Sequence, residues 1–358
     1  MKFARQRMAA RTRIVAAAVL AAACGCGAVA PAMASAQPAS AAAVVGPPVS
    51  VATPSDDVAH PGSQTEWWYA SIVDPATKRA FIVALCAAPV PATGALWYGA
   101  DGHKNHVISL TTPVIADPGP QVSSSAGDLA YDSARHAYHL VYHANGYSAD
   151  IWFDNALPGV TLGPLAYDGQ WISWTVPVAT STVTGWVMPP GAAAAVSVDG
   201  WRGYHDHNWG DFSLFDQRFS GWEWAISHEP ATATDPHGTA SLLGGMVSGD
   251  GTWQGVLVNV DQAGTTFCPS AIRLSDWASS QAYAYPATVN ASCADPTNKL
   301  ASTFTVTDPY VINMVLSTST ESLGQSTPGS IGLIEHFRTL SHGGTSTAPL
   351  EDPFIGIG

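Results

Sequence analysis

The sequence predicts an all-β chain, and three observations lead there. Short runs rich in Val, Ile, Thr, Tyr, Phe and Trp recur from His60 onward, and most alternate apolar with polar residues. Gly, Pro, Asn and Asp separate these runs at turn-like intervals. Beyond the N-terminal segment, no window sustains apolar residues at helical spacing. Frequent short strands with turn signals between them read as barrels or sandwiches.

In chain order, Lys2, Arg5, Arg7, Arg11 and Arg13 precede the apolar stretch Ile14–Ala30, and Ala34-Ser35-Ala36 forms a small-x-small cleavage signal. That layout is a secretory signal peptide over 1–36. It predicts a secreted or extracytoplasmic protein with no stable membrane insertion after processing. Cys24 and Cys26 raise a lipoprotein anchor as the alternative. Residues 37–58 are rich in Pro, Ala, Ser and Val and are expected to be a flexible leader. Expected strands are Glu66–Val73, Ala80–Ala87, His106–Leu110, Tyr138–His143, Ser148–Phe153 and Gln170–Val176. Later ones are Gly221–Ser227, Ala240–Val247, Thr252–Val260, Thr303–Thr307, Tyr310–Leu316 and Ile331–Phe337. A soft boundary near 211–220 divides the chain into β units at 59–215 and 216–345, with a tail at 346–358.

Charge excludes some partners. Removing 1–36 leaves 9 Lys+Arg against 27 Asp+Glu, a formal charge of −18. So acidic a chain is unsuited to nucleic acid or an anionic membrane surface, and small neutral or apolar ligands remain. In an oxidising compartment Cys268 and Cys293 could bridge within one region. Oligomeric state is not legible.

Three segments could carry chemistry. In Glu66-Trp67-Trp68-Tyr69, strand alternation puts Glu66 and Trp68 on one face, Trp67 and Tyr69 on the other. In Gly203-Tyr204-His205-Asp206-His207-Asn208-Trp209-Gly210, His205, His207 and Trp209 share a face, with Tyr204, Asp206 and Asn208 opposite. Imidazole shuttles protons near neutral pH and an indole face stabilises a cation. In Gly221–His228, Trp222, Trp224, Ile226 and His228 share a face that suits an apolar ligand. Plain packing or a hydrogen-bonded polar cluster also accounts for each segment. His205 and His207 suggest a metal pair, and His103, His106 or Glu66 are the candidates to complete it, but spacing supplies no full ligand set. No metal and no cofactor is therefore assigned. No nucleophile elbow, phosphate loop or dinucleotide fingerprint occurs.

His60-Pro61 with Glu66-Trp67-Trp68-Tyr69, together with Gly203–Gly210, resembles the CrtC/AttH lipocalin-like family. Trp174–Pro177, Val183–Gly185 and Gly332–Glu335 also fit its pattern, over roughly 59–340. That family includes hydroxyneurosporene synthase (carotenoid 1,2-hydratase) and proteins labelled predicted secreted hydrolases, and lipocalin-like Diels–Alderases are similar in fold. The resemblance implies two lipocalin-like units in tandem and an apolar ligand cavity. It implies catalysis by His207 and Trp209, to which the local pattern adds His205 and Asp206. Glu66, Trp68, Tyr69, Tyr204, Trp222 and Trp224 are the expected substrate-binding residues. The implied chemistry protonates an alkene and captures the cation with water. An acid that the hydratases carry on a following strand has no counterpart in Thr239–Gly245. The expected function is hydration, cyclisation or isomerisation of a polyene, terpenoid or polyketide-like hydrophobic small molecule. The alternatives are a non-catalytic carrier of such a ligand and a metal-dependent secreted hydrolase.

Overall fold

The computed structural model describes residues 48–356 except 75, 78, 90, 100–103, 113, 114, 117, 118, 213–218, 229–237, 249–251, 281, 282, 321–324 and 343–350. For some strands, and for all from Thr305 on, only the backbone is described. The signal segment and residues 37–47 lie outside the described residues.

Two antiparallel β assemblies follow one another. The first contains β1 (Val49–Val51), β2 (Thr65–Asp74), β3 (Arg79–Ala88), β4 (Ala92–Tyr98), β5 (Lys104–Leu110), β6 (Ile115–Ala116) and β7 (Gln121–Ser124). It continues with β8 (Gly127–Asp132), β9 (Ala137–Ala144), β10 (Tyr147–Leu157), β11 (Val160–Tyr167), β12 (Gln170–Met188), β13 (Val196–Ser197) and β14 (Arg202–Asp211). These form one fourteen-stranded sheet whose main path runs β5-β4-β3-β2-β14-β12-β10-β9-β8-β7-β6. The second assembly is a closed barrel of β15 (Phe219–His228), β16 (Ala240–Ser248), β17 (Trp253–Asp261), β18 (Gly264–Ser280), β19 (Tyr283–Cys293), β20 (Ala301–Thr320), β21 (Gln325–His342) and β22 (Glu351–Gly356). No α-helix occurs among the described residues, and none of their helices is long and apolar enough to cross a membrane. The all-β expectation holds, and each expected strand falls on an observed one.

The first sheet curls on itself. β3 and β9 are separated along it by β2, β14, β12 and β10, yet the Phe81 and Tyr142 rings meet at 6.2 Å. The enclosed core includes Trp68, Ile72, Phe81, Tyr138, Ile151 and Phe153. A second core, with Trp67, Tyr69, Trp174, Tyr204, Trp224, Leu242 and Val258, spans the convex side of the sheet and the barrel. Strand β14 lies between these cores, so both of its faces are buried. Polar side chains there must find partners inside the protein, because burial removes their water.

Two expectations about the ends of the chain are corrected. Residues 48–58 were expected to be part of a flexible leader. Instead β1 pairs with β11, and Pro54–Asp57 forms a 3-10 turn in which the Thr53 N–H donates to Asp56 Oδ2 at 2.7 Å. Pro at the first helical position and an acid three residues after the cap are local signals that the Pro- and Ala-rich composition obscured. Residues 346–358 were expected to be a tail, and Glu351–Gly356 pairs as β22 with both β21 and β15. Cys268 and Cys293 form a disulfide between β18 and β19, where Ser270 pairs with Cys293.

Candidate functional site

Register brings the sequence motifs together. β14 pairs with β2 on one side, setting His207 opposite Trp68, Asp206 opposite Tyr69 and Trp209 opposite Glu66. On the other side it pairs with β12, setting Asn208 opposite Trp174. The ladder between β14 and β12 shifts register between Thr175 and Val178, across Pro177, which has no N–H to offer. Alternation then sends neighbouring residues of β14 to opposite cores.

Inside the curled sheet lies a His–carboxylate cluster. His205 is fully buried, with Nδ1 2.8 Å from the Tyr69 carbonyl and Nε2 2.9 Å from Asp57 Oδ2. Both partners accept, so both ring nitrogens donate and His205 is an imidazolium. Burial opposes that charge, but the Asp57 carboxylate and the Tyr69 carbonyl outweigh it and raise the pKa. His207 Nε2 lies 3.0 Å from Glu66 Oε1, which also accepts the His60 N–H at 2.6 Å. Burial raises the Glu66 pKa, but the bonds from His207 and His60 prevail and bring it down to about 2. Glu66 is therefore ionised. His207 is held neutral, because burial lowers its pKa more than the two carboxylates raise it. Its Nε2–H donates to Glu66, which leaves Nδ1 as a bare acceptor 3.5 Å from Asp57 Oδ1.

Stacking fixes the rings. Trp68 lies over His207 at 4.1 Å between centroids, and Trp209 lies over His60 at 3.8 Å with the planes 2° apart. His60, Glu66 and His207 each offer a ligand atom, and these atoms lie within 4.8 Å of one another. The Tyr138 ring meets His205 edge-on at 4.9 Å. Burial first, and then the Asp57 charge, hold the Tyr138 phenol well above its ordinary pKa.

Facing the barrel is a second polar network. Asp206 Oδ2 accepts the Tyr204 hydroxyl at 2.5 Å and the Trp174 indole N–H at 2.9 Å, while Oδ1 accepts the Asn208 amide at 3.0 Å. Trp224, on β15 of the barrel, donates to the Tyr204 hydroxyl at 2.7 Å. Burial dominates these donors and pushes the Asp206 pKa up to about 6. Arg202, on the same face, donates to Thr180 Oγ1 at 2.6 Å. His228 is held at about 3 by burial and by the positive charge of Arg202.

The expected site residues therefore divide into two groups. His205, His207, Trp209, Glu66 and Trp68 meet inside the sheet, whereas Asp206, Tyr204, Tyr69 and Trp224 face the barrel. The Trp222 side chain, His103 and the His106 side chain lie outside the described residues. Sequence reasoning missed Asp57, Tyr138 and Trp174 as partners. Only the Thr53-Pro54-Ser55-Asp56 cap signal pointed toward Asp57, and nothing local pointed to the other two. At Gly244, in the stretch that lacks an acid, a Cβ would come within 2.4 Å of the Trp174 ring. The indole that donates to Asp206 fills that space.

No family model and no curated protein matches this sequence. Solved structures do match. An AttH-like protein from Nitrosomonas europaea is 15% identical, with 92% of this chain and 99% of that one covered, at a TM-score of 0.55. The fold shared with that protein is a tandem of lipocalin-like β units. Kievitone hydratase from Nectria haematococca matches over 84% of this chain and 92% of its own, at 11% identity and TM-score 0.52. CghA, solved with Sch210972, matches over 82% of this chain and 86% of its own, at 12% identity and TM-score 0.52. At these identities the shared lipocalin-like architecture is what the matches establish, and the side chains above must carry the chemistry.

Proposed function

We propose that this protein is an exported enzyme that hydrates, cyclises or isomerises an apolar polyene, terpenoid or polyketide-like molecule by acid catalysis. The observation that carries this proposal is Asp206. Its fully buried carboxyl accepts from the Trp174 indole, the Tyr204 phenol and the Asn208 amide, with the Trp224 indole behind Tyr204, in the apolar layer where the sheet meets the barrel. Protonated, as a pKa of about 6 allows, this carboxyl releases one of the three donors it accepts from. It can give that proton to an alkene or enol away from bulk water, with the Trp174 and Trp224 indoles close by. Tyr204 links Asp206 to the barrel through Trp224, so the proton donor depends on both units being in place. Hydratase chemistry in one structural neighbour supports the reaction type, and the N-terminal segment supports export.

A test uses a panel of polyenes, terpenoids and linear polyketides, with products followed by mass spectrometry. Wild type is expected to yield an isomer or a product heavier by one water. Asp206→Asn is expected to bind the same compound while turnover falls about 10²–10⁴-fold, the usual weight of a positioned acid. Binding without turnover in wild type would instead support the carrier alternative.

A further inference from the structure

The face of β14 turned away from Asp206 holds three buried polar atoms in one cluster without a hydrogen-bond partner. These are His60 Nδ1, His207 Nδ1 and Asp57 Oδ1. His207 and Asp57 are almost completely buried, so water at the surface does not compensate them. With His207 Nε2–H committed to Glu66, its Nδ1 lone pair faces a lone pair of Asp57 across 3.5 Å. A small shift of the Tyr138 hydroxyl would serve Asp57 but neither imidazole nitrogen.

One change answers all three atoms. If His207 binds a cation through Nε2, its proton moves to Nδ1 and points at Asp57 Oδ1. The cation takes the His60 Nδ1 lone pair, and Glu66 Oε1 completes the set. We propose that His60, Glu66 and His207 form a three-ligand site for a divalent transition-metal ion, with Asp57 orienting His207 from behind.

The geometry fits. Glu66 Oε1 lies 3.0 Å from His207 Nε2 and 3.5 Å from His60 Nδ1, and tetrahedral ligands spaced about 2 Å from an ion sit roughly 3.3 Å apart. Two imidazoles and one carboxylate suit zinc-type ions over calcium or magnesium. A carboxylate behind a metal-bound histidine is the usual outer support. Stacked indoles hold both rings, so little ordering is needed on binding. The His60 side chain is 31% exposed, so the cluster lies close to the surface of the protein.

Cobalt(II) titration of the metal-stripped full chain tests the site without any substrate, so its outcome is separate from that of the Asp206 proposal. Wild type should saturate at one equivalent with the visible absorption of four-coordinate cobalt, and zinc should abolish that absorption. His60→Ala, at a partly exposed position, and Glu66→Gln, which keeps the size of the side chain, should each weaken binding at least about 10-fold, since each removes one of three protein ligands. Failure to saturate at one equivalent, or wild-type affinity in either variant, overturns the site.

Discussion

At the residue scale, most of the chemistry depends on which face of β14 a side chain takes. Strand alternation alone separates His205 and His207 from Asp206, and that much is legible in Tyr204–Trp209. The partners are not, because Asp57 lies 148 positions before His205 in the sequence, and a single sequence does not show such pairings. Asp57 neutralises a buried imidazolium, so Asp57→Ala should destabilise the fold by about 3–5 kcal/mol, the cost of leaving one buried charge unpaired. Denaturant unfolding would measure it, and a loss below 1 kcal/mol would mean that His205 is not held charged. Gly244 makes the opposite kind of demand. Gly244→Ala places a methyl against the Trp174 ring, which should move the indole off Asp206 and lower turnover while the barrel remains folded. Near-ultraviolet circular dichroism would report the moved indole.

At the scale of elements, the expected strands were legible because alternation and turn residues mark them clearly. β4, β7, β8, β11, β18, β19 and β22 are not among the expected strands. β18 and β19 mix Ser, Thr and Ala with scattered apolar residues, so their pattern is weak although their ladder is continuous apart from one skipped pair. The short Pro54–Asp57 turn was missed for the opposite reason: its composition resembled a linker, while one buried carboxyl gives it a fixed place. The contact between β14 and β15 brings a pH dependence. His228 has a folded-state pKa near 3, below the ordinary 6.5, because burial and Arg202 disfavour its charge. Its contribution to stability is therefore complete above about pH 6.5 and is lost as pH falls toward 3, by up to about 5 kcal/mol. Asp206 acts with the opposite sign between pH 6 and 3.8, since its raised pKa lets the folded state bind a proton first. Comparing melting temperature against pH for wild type and His228→Gln separates the two. The variant should lose the acid-side decline due to His228, and parallel curves would contradict the assignment.

At the scale of the whole molecule, the sheet and the barrel share one apolar layer tied by specific polar bonds. Besides the Trp224–Tyr204 bond, Thr265 Oγ1 donates to the Pro158 carbonyl at 2.6 Å, and Gln254 Nε2 donates to that of Ala166 at 3.0 Å. The two motifs predicted such a tandem through their resemblance to a family, and the fold agrees. The resemblance could not show that the central strand presents two separate polar clusters, Asp206 with its donors toward the barrel and a His–carboxylate cluster within the sheet. We propose proton delivery from the first of these. Its most direct measurement is turnover of an accepted substrate in deuterated water, with the product analysed by mass spectrometry and NMR. Proton delivery from Asp206, which exchanges with solvent, predicts one deuterium on carbon in each product molecule and loss of that product in Asp206→Asn. A product formed without deuterium on carbon, or formed equally well by Asp206→Asn, would contradict it.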